Sequence, residues 1–384
     1  MRKKTYKLFN IIPILKTKTK NNITRILLFG FIPLFKIKNN DKIIDTEQNI
    51  GALNTIEQKV ERLGIIAQNV IEQKIETCLM NEITEKGKQK QIFKEFVSYV
   101  EIGVHSKCNR ECWFCPNSFI DRHSENILME DKVFHSILKS LQEIEYNNTL
   151  SFHRYNEPLI DKDYIIKRVK EAREYLPHCY LFLNTNGDLL TKEILQELKN
   201  AGLNQMRIQC YLGKNEEFDI EKVLKPRMQL LIDKLELGEP IAISSAKPTY
   251  YAMKFKVSDK MEIIFEAQDF AKIGNNRAGT LSLTSYKSFR PCNHPLYNMY
   301  IDYNGTCTPC CDFRFDIPDN KDFVLGDVSK NTIFEVFTSA KYVNCRKQVC
   351  YYGAKNSGCD SCLRHCSNIT EKYGKLQKKF DFWA

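Results

Sequence analysis

Three cysteines on one short stretch limit what this chain can fold into more than any other feature. Cys108, Cys112 and Cys115 follow the spacing C-x3-C-x2-C. The apolar run before them, Val97 to Val104, predicts a strand that delivers three thiolates onto a loop. Three soft ligands on one tight loop can hold three irons of a cubane iron–sulfur cluster, which leaves the fourth iron open to a small molecule.

A single zinc ion is the alternative occupant of this loop. It would need a fourth donor nearby, and His105 or His123 would supply one. The chain has 15 cysteines in all and no cleavable signal peptide is recognisable, because Pro13 and several lysines interrupt the apolar start. We therefore expect metal or iron–sulfur ligation in a reducing cytoplasm rather than disulfides.

The net charge of +10 comes from one end of the chain. Residues 1–38 contain ten Lys or Arg and no Asp or Glu, whereas the remainder has 47 basic and 47 acidic residues. A neutral body argues against a nucleic-acid groove.

The basic segment also contains an internal repeat. Residues 7–18 are echoed by residues 27–38, each copy an apolar patch with a central Pro and flanking lysines. These patches either lie on an anionic membrane surface, where each lysine contributes about 1 kcal/mol, or dock on the protein's own body or a partner.

The next segment predicts a helical extension followed by a linker. Apolar residues from Leu53 to Val70 alternate at spacings of three and four within a predicted helix over 45–80. This stripe would form either a dimer seam or a packing face. Residues 81–96 are polar and lysine-rich, which is typical of a linker.

From residue 97 the pattern alternates strands with helices, which favours parallel β/α units. We predict strands at 150–153, 180–184 and 206–211 and helices at 130–144, 163–176 and 191–201. The predicted fold is α/β: a partial (β/α)6 TIM-like barrel with a small cysteine-rich C-terminal α+β domain and a helical N-terminal extension. The predicted domains are 1–44 (basic repeat), 45–96 (helical extension and linker), 97–285 (barrel) and 286–384 (cysteine-rich domain).

In barrels of this kind chemistry lies at the carboxyl ends of the strands. Chemistry-bearing residues follow four successive predicted strands: Cys108, then Asn156-Glu157-Pro158, then Asn184 and Asn186, then Gln209. They should therefore meet at one rim.

These rim residues resemble, in order, the motifs of the radical S-adenosylmethionine (SAM) superfamily. An aromatic residue, Phe114, precedes the third cysteine, and residues 155–159 are similar to the family's Gly-Glu-Pro segment. Residues 184–187 resemble its TNG turn, and residues 274–279 resemble its NRAG segment. The resemblance implies a SAM-binding 4Fe–4S cluster on the three cysteines. It also implies that SAM is bound by Phe114, Asn156, Glu157, Pro158, Asn184, Asn186, Gln209 and Arg277. The alternatives are a helix N-cap or a surface carboxylate for Glu157 and an ordinary turn for Asn186-Gly187.

Nine cysteines lie from Cys292 onward, and their arrangement resembles the SPASM or twitch extension of the same superfamily. A hairpin turn at 302–305, a Leu-Gly-Asp turn, a helix at 332–337 and a closing C-x2-C pair carry the resemblance. It implies at least one auxiliary 4Fe–4S cluster, with Cys292, Cys310, Cys359 and Cys362 as ligands. The remaining tail cysteines suffice for a second cluster, and zinc in the C-x2-C pair is the alternative.

The resemblance implies an oxidoreductase-type enzyme that cleaves SAM reductively to a 5′-deoxyadenosyl radical, which takes a hydrogen from a substrate. We expect oxidation or modification of a small sugar-like molecule or cell-surface glycan precursor, with flavodoxin or ferredoxin as electron donor. The alternatives are a peptide- or protein-modifying maturase and a non-catalytic iron–sulfur or zinc scaffold. The expected location is the cytoplasm, with contact to the inner membrane surface if residues 1–38 bind lipid.

Overall fold

The computed structural model describes residues 72–281, 287–355 and 358–362 in full, and the backbone of four strands nearer the start. Two compact units result, one of Met1–Thr77 with Cys366–Ala384 and one of Cys78–His365. Residues 45–71 of the predicted first helix, and Cys366, lie outside the described residues.

The first unit contains an antiparallel sheet of four strands in sequential order. These are β1 (Lys3–Leu8), β2 (Ile12–Lys20), β3 (Ile23–Leu28) and β4 (Ile32–Lys38). Leu8 pairs with Ile12 in the first hairpin, and Leu28 pairs with Ile32 in the second. The 20-residue sequence repeat therefore builds two hairpins of equivalent register. Within the described part of the chain, no helix is both long and apolar enough to cross a bilayer.

The second unit is built on a ten-stranded mixed sheet. Its strands are β5 (Tyr99–Ile102), β6 (Thr149–Ser151), β7 (Tyr180–Thr185), β8 (Gln205–Gln209), β9 (Ala242–Lys247), β10 (Tyr250–Lys256), β11 (Glu262–Gln268), β12 (Asn298–Ile301), β13 (Thr306–Thr308) and β14 (Gly326–Asp327). Six neighbouring strands, in the order β12-β5-β6-β7-β8-β11, run parallel. The hairpins β9–β10 and β13–β14 extend its two edges in antiparallel pairing.

Helices connect the parallel strands, as the alternating pattern predicted. The helices are α1 (72–79), α2 (Lys86–Phe96), α3 (Asp131–Glu143), α4 (Lys162–Tyr175), α5 (Lys192–Asn200), α6 (Lys225–Lys234), α7 (Phe270–Ile273), α8 (His294–Tyr297), α9 (Ile333–Phe337) and α10 (Ala340–Val349). The α/β class and the partial barrel are thereby confirmed.

Helix α5 shows how local sequence sets these bounds. The Thr191 hydroxyl caps the helix by accepting a hydrogen bond from the backbone N–H of Ile194, and Leu195 and Leu198 bury its apolar face. Gly202 ends the helix with φ +95, a left-handed conformation that favours glycine. The predicted start and stop of this helix are both confirmed.

The predicted linker at 81–96 instead contains helix α2. Ile92, Phe93 and Phe96 lie on its buried face, and the Phe93 ring packs at 5.3 Å from the rings of both Phe334 and Phe337 in α9. The many lysines of this segment obscure its apolar face in the sequence. The residues that this face packs against lie some 240 residues further along the chain. The segment therefore packs against the cysteine-rich region instead of merely tethering the barrel.

Candidate functional site

One cavity of about 890 Å³ lies inside the parallel part of the sheet, and all six parallel strands line it. Alternate residues of each strand face it, as the period-two geometry of a strand requires. Many of these inward side chains are polar or charged, whereas a packed barrel interior is dominated by branched apolar residues. The inward polar set includes Tyr99, Glu101, Asn184, Gln205, Arg207, Gln209, Glu266, Gln268, Asn298 and Tyr300. Such an interior is built to enclose a polar molecule.

The three cysteines of the first loop line this cavity together. The backbone N–H of Cys115 donates to the carbonyl of Cys112 over 2.8 Å, which folds the loop tightly. Burial raises the pKa of the Cys108 thiol to about 11 and that of Cys112 to about 12, and the neighbouring thiols add to both shifts. The three thiols therefore lie close enough together to affect one another's ionisation within this cavity.

Glu157 is buried beside this loop, and its carboxylate organises the rim. Oε1 accepts hydrogen bonds from the backbone N–H of Leu159 and the Thr185 hydroxyl, at 3.1 and 2.6 Å. Oε2 accepts one from the backbone N–H of Asn186 at 2.7 Å. Burial raises the pKa of Glu157 to about 7, against the lowering effect of these hydrogen bonds. Glu157 thus caps a helical turn and lines the cavity, and Oε2 retains acceptor capacity.

The end of β7 and the turn after it bring Asn184, Asn186 and Gly187 to the same rim. Gly187 has φ +81, a conformation that favours glycine, and an added Cβ would also crowd a methyl group of Leu231 at 2.9 Å. The Asn186 side chain donates to the side-chain oxygen of Asn109, in the cysteine loop, over 2.7 Å. This contact fixes the third strand end to the loop that carries the thiols.

The other predicted SAM-binding residues occupy different settings. Phe114 stacks on Phe270 with ring centroids 3.8 Å apart and lines the cavity. Gln209 also lines it, with its amide hydrogen-bonded to Glu266. Pro158 is buried at the start of the short helical turn Pro158–Asp161 that Glu157 caps, and it is not among the cavity-lining residues.

Asn156 and Arg277 both line the cavity. The side-chain oxygen of Asn156 accepts from the backbone N–H of Arg154 at 2.9 Å. Arg277 Nη1 lies 2.9 Å from Asp312 Oδ1. Arg277 therefore links the barrel to the residue that follows the Cys310-Cys311 pair.

The structure brings the tail cysteines into two adjoining sets. Burial raises the pKa of the Cys310 thiol, and Cys359 and Cys362 raise it further. Cys292 lies beside Cys350, whose thiol contacts the Cys292 carbonyl at 3.2 Å. Lys355 lies near both sets. Burial lowers the pKa of its ammonium group, and Cys292 and Cys359 each raise that pKa in part.

Two further groups line the site: Cys311, which was predicted only as one of the remaining tail cysteines available to a second cluster, and a polar group deeper in the barrel, which was not predicted. Cys311 lines the cavity, and so do His153 and Glu101. The pKa of His153 falls to about 3 because of burial and the nearby Arg207 and Arg154. The Cys310-Cys311 doublet was a usable sequence signal, whereas His153 and Glu101 carry no motif.

The residues present fit an iron–sulfur cluster and SAM. Three thiols line one wall, and a cubane binds each thiolate through a separate iron. Among the described residues no three His, Cys, Asp or Glu side chains converge on one point suited to a single metal ion. Buried polar atoms of the wall lack hydrogen-bond partners within the same ranges: Asn156 Nδ2, Arg154 Nη1 and Asn275 Oδ1. Amino, carboxylate and hydroxyl groups of a bound molecule would satisfy such atoms.

Comparison with family models matches two parts of the chain. Residues 102–229 match the radical SAM superfamily, and residues 292–367 match SPASM, an iron–sulfur cluster-binding domain. The first match contains the cysteine loop and the rim, and the second contains the tail cysteines.

Curated proteins and solved structures resemble this chain over different shares of its length. The S-adenosyl-L-methionine-dependent 2-deoxy-scyllo-inosamine dehydrogenase of Niallia circulans is 24% identical over 289 residues, which is 74% of this chain and 97% of that protein. A GTP 3',8-cyclase of Nautilia profundicola is 30% identical over 158 residues, 40% of this chain and 48% of that protein. The crystal structure of BtrN in complex with AdoMet and 2-DOIA has a TM-score of 0.53 at 22% identity, covering 72% and 95% of the two chains. This likeness supports the fold.

Proposed function

Because this chain is a radical SAM enzyme with a carboxyl-terminal SPASM domain, we propose that it oxidises a hydroxyl group of a small, sugar-like molecule held in the barrel. A single observation carries the proposal: one polar cavity is lined both by the three cysteines of the first loop and by Cys311 of the SPASM region. The dehydrogenase of Niallia circulans acts on an aminocyclitol alcohol, which supports the same substrate class.

We propose that Cys108, Cys112 and Cys115 hold the SAM-binding cluster and that Cys292, Cys310, Cys359 and Cys362 hold the auxiliary one. When bound, SAM and the first cluster would supply a 5′-deoxyadenosyl radical that takes a hydrogen atom from the substrate, and the auxiliary cluster would accept one electron. The alcohol carbon would give up that one hydrogen atom, its hydroxyl would lose one proton, and the remaining electron would pass to the auxiliary cluster, so that a ketone would form. An external donor provides the electron for SAM cleavage.

The chain's own residues bind and shield these reactants. Glu157 and the backbone around Asn156 offer acceptors to the SAM ammonium group, and Phe114 forms an apolar surface with Phe270. In the deeper wall, Glu266 accepts a hydrogen bond from the Tyr250 hydroxyl at 2.6 Å, and Glu101 accepts one from the Tyr99 hydroxyl at 2.8 Å. These paired carboxylates and hydroxyls suit a molecule rich in hydroxyl or amino groups.

The test is anaerobic reconstitution followed by incubation with SAM, dithionite and 2-deoxy-scyllo-inosamine or related cyclitols and sugars. We expect release of 5′-deoxyadenosine to depend on the alcohol and to match ketone formation. A substrate deuterated at the oxidised carbon should place deuterium in 5′-deoxyadenosine. Substrate-dependent release with a peptide but with no alcohol would favour the peptide-modifying alternative.

We further propose that residues 1–38 contact an anionic membrane surface. The ten basic residues and the absence of acidic ones support this proposal. Deleting residues 1–38 should abolish sedimentation with anionic liposomes at low salt, and neutral liposomes serve as the control. Unchanged sedimentation would leave docking to a protein surface as the role of the repeat.

A further inference from the structure

Asn275 lies where the cavity wall meets the C-x2-C loop. Its side chain is buried, with 8% of the residue exposed. Nδ2 donates to Asp312 Oδ2 over 2.6 Å and to the Cys362 sulfur over 3.7 Å. An N–H donor at a cysteine sulfur is one of the features that set the reduction potential of an iron–sulfur cluster.

The other end of the same amide has no partner. Asn275 lines the cavity, and Oδ1 lacks a hydrogen bond within the part of the chain that the structure describes. Leaving a buried acceptor unsatisfied costs about 1–3 kcal/mol. A hydroxyl or ammonium group of a molecule in the cavity would remove that cost.

The backbone that presents Asn275 is held in an unusual conformation. Arg277 and Ala278 have φ +48 and +54, left-handed values that non-glycine residues rarely adopt, and Gly279 continues the turn at +79. This turn fits closely against Gly358, where an added Cβ would lie 3.2 Å from the Ala278 carbonyl. Strained backbone of this kind clusters at functional sites.

Contacts on either side hold the strained turn to the tail. Arg277 pairs with Asp312, and the Asn276 amide donates to the hydroxyl of Ser361 in the C-x2-C loop. Three successive residues of the turn therefore contact the auxiliary region, and among these contacts only that of Asn275 reaches a cysteine sulfur.

We propose that Asn275 is a positioning residue that joins the substrate to the auxiliary cluster. Its N–H at Cys362 makes the cluster easier to reduce, and its Oδ1 accepts a hydrogen bond from a hydroxyl or ammonium group of the substrate. The second half of this assignment rests on the proposed function, whereas the first half depends only on Cys362 holding the cluster.

The first experiment measures the potential alone. Full-length protein carrying C108A, C112A and C115A retains the auxiliary cluster as its EPR-active centre, and a redox titration then reports its midpoint potential. We expect Asn275→Leu and Asn275→Asp to shift that potential to more negative values. Asn276→Ser, which alters the same turn without touching a cysteine, is the matched control. Potentials in both Asn275 variants equal to that of the control would overturn the inference.

The second experiment uses the intact enzyme with 2-deoxy-scyllo-inosamine. Asn275→Leu removes the acceptor and should raise KM about tenfold, the equivalent of 1.4 kcal/mol, whereas Asn275→Asp keeps an oxygen there and should change KM less. Equal KM values in wild type and Asn275→Leu would overturn the substrate contact. If the wild-type enzyme oxidises no alcohol, the proposed function fails, and the potential measurement still decides the role at Cys362.

Discussion

The phenolic hydroxyl of Tyr155 donates a hydrogen bond to the backbone carbonyl of Asp312 over 2.9 Å. Tyr155 follows β6 in the barrel, and Asp312 follows the Cys310-Cys311 pair in the tail. The Tyr155 carbonyl in turn accepts from the Asn117 amide at 2.9 Å, and the Asn117 side chain hydrogen-bonds to the Cys108 thiol. Buried protein groups therefore connect the first cysteine loop to the auxiliary region.

Tyr155→Phe should destabilise the protein without emptying either cysteine site. The substitution leaves a buried carbonyl without its donor, a loss of about 1–3 kcal/mol. Urea unfolding monitored by fluorescence measures it. Tyr175→Phe at the end of α4 is the control, and an equal change in both variants would contradict the role assigned to the Tyr155 hydroxyl.

Replacing Cys108, Cys112 and Cys115 together by Ala should remove roughly four irons per chain and leave the auxiliary cluster in place. Iron analysis and EPR of the reduced protein measure the change. Cys210→Ala, which removes a partly buried thiol that belongs to neither proposed ligand set, should retain the full iron content. Loss of all iron from the triple variant would show that the two sites do not load independently.

Cys310→Ala should lose the auxiliary cluster, whereas Cys307→Ala should keep it. Cys310 lies with Cys359 and Cys362, whereas Cys307 is fully buried and its thiol contacts the carbonyl of Gly305 at 3.7 Å. Iron content and the EPR signal in the triple-alanine background separate the two variants. Retention of the cluster by Cys310→Ala would remove Cys310 from the ligand set.

Glu157→Gln should weaken SAM binding at least tenfold, about 1.4 kcal/mol. The substitution removes the negative charge. It also replaces one carboxylate oxygen by an NH2 group, which cannot accept the hydrogen bonds that Leu159, Thr185 and Asn186 donate in the wild type. Anaerobic equilibrium dialysis with labelled SAM measures the effect. Glu130→Gln, at an exposed cap position of α3 that makes no side-chain capping bond, is the control; equal SAM affinity in the two variants would contradict the prediction.

His153→Gln should reduce the loss of folding stability that the protein shows as the pH falls below about 6.5. Burial lowers the pKa of His153 to about 3. Between about pH 6.5 and 3, this imidazole is therefore protonated in the unfolded chain but neutral in the folded chain. The wild type therefore loses stability as pH falls from about 6.5 towards 3, and the variant should lose less. Urea midpoints across this range measure the slope, with the exposed His178→Gln as control. Parallel slopes in wild type and His153→Gln would rule out this source of acid sensitivity.

Much of the barrel was readable because its signals are local. Thr191 and Gly202 bound α5 through their own capping chemistry, and the strand–helix alternation fixed the parallel class. The prediction of a linker at 81–96 was wrong because helix α2 buries its apolar face against Phe334 and Phe337. No pattern within residues 81–96 indicates that contact.

Sequence patterns alone predicted that three thiols share one loop, that Glu157, Asn186 and Gln209 stand at strand ends, and that the tail carries clustered cysteines. Those features depend on spacing along the chain. In contrast, the three protein donors that hold Glu157, and the contact of Asn275 with Cys362 across 87 residues, appeared only in the folded chain. Strand pairing explains these contacts: β6 lies beside β7, which brings Glu157 to Asn186, and β12 lies beside β5, which joins the tail to the barrel. Contact between distant segments depends on such packing rather than on motif.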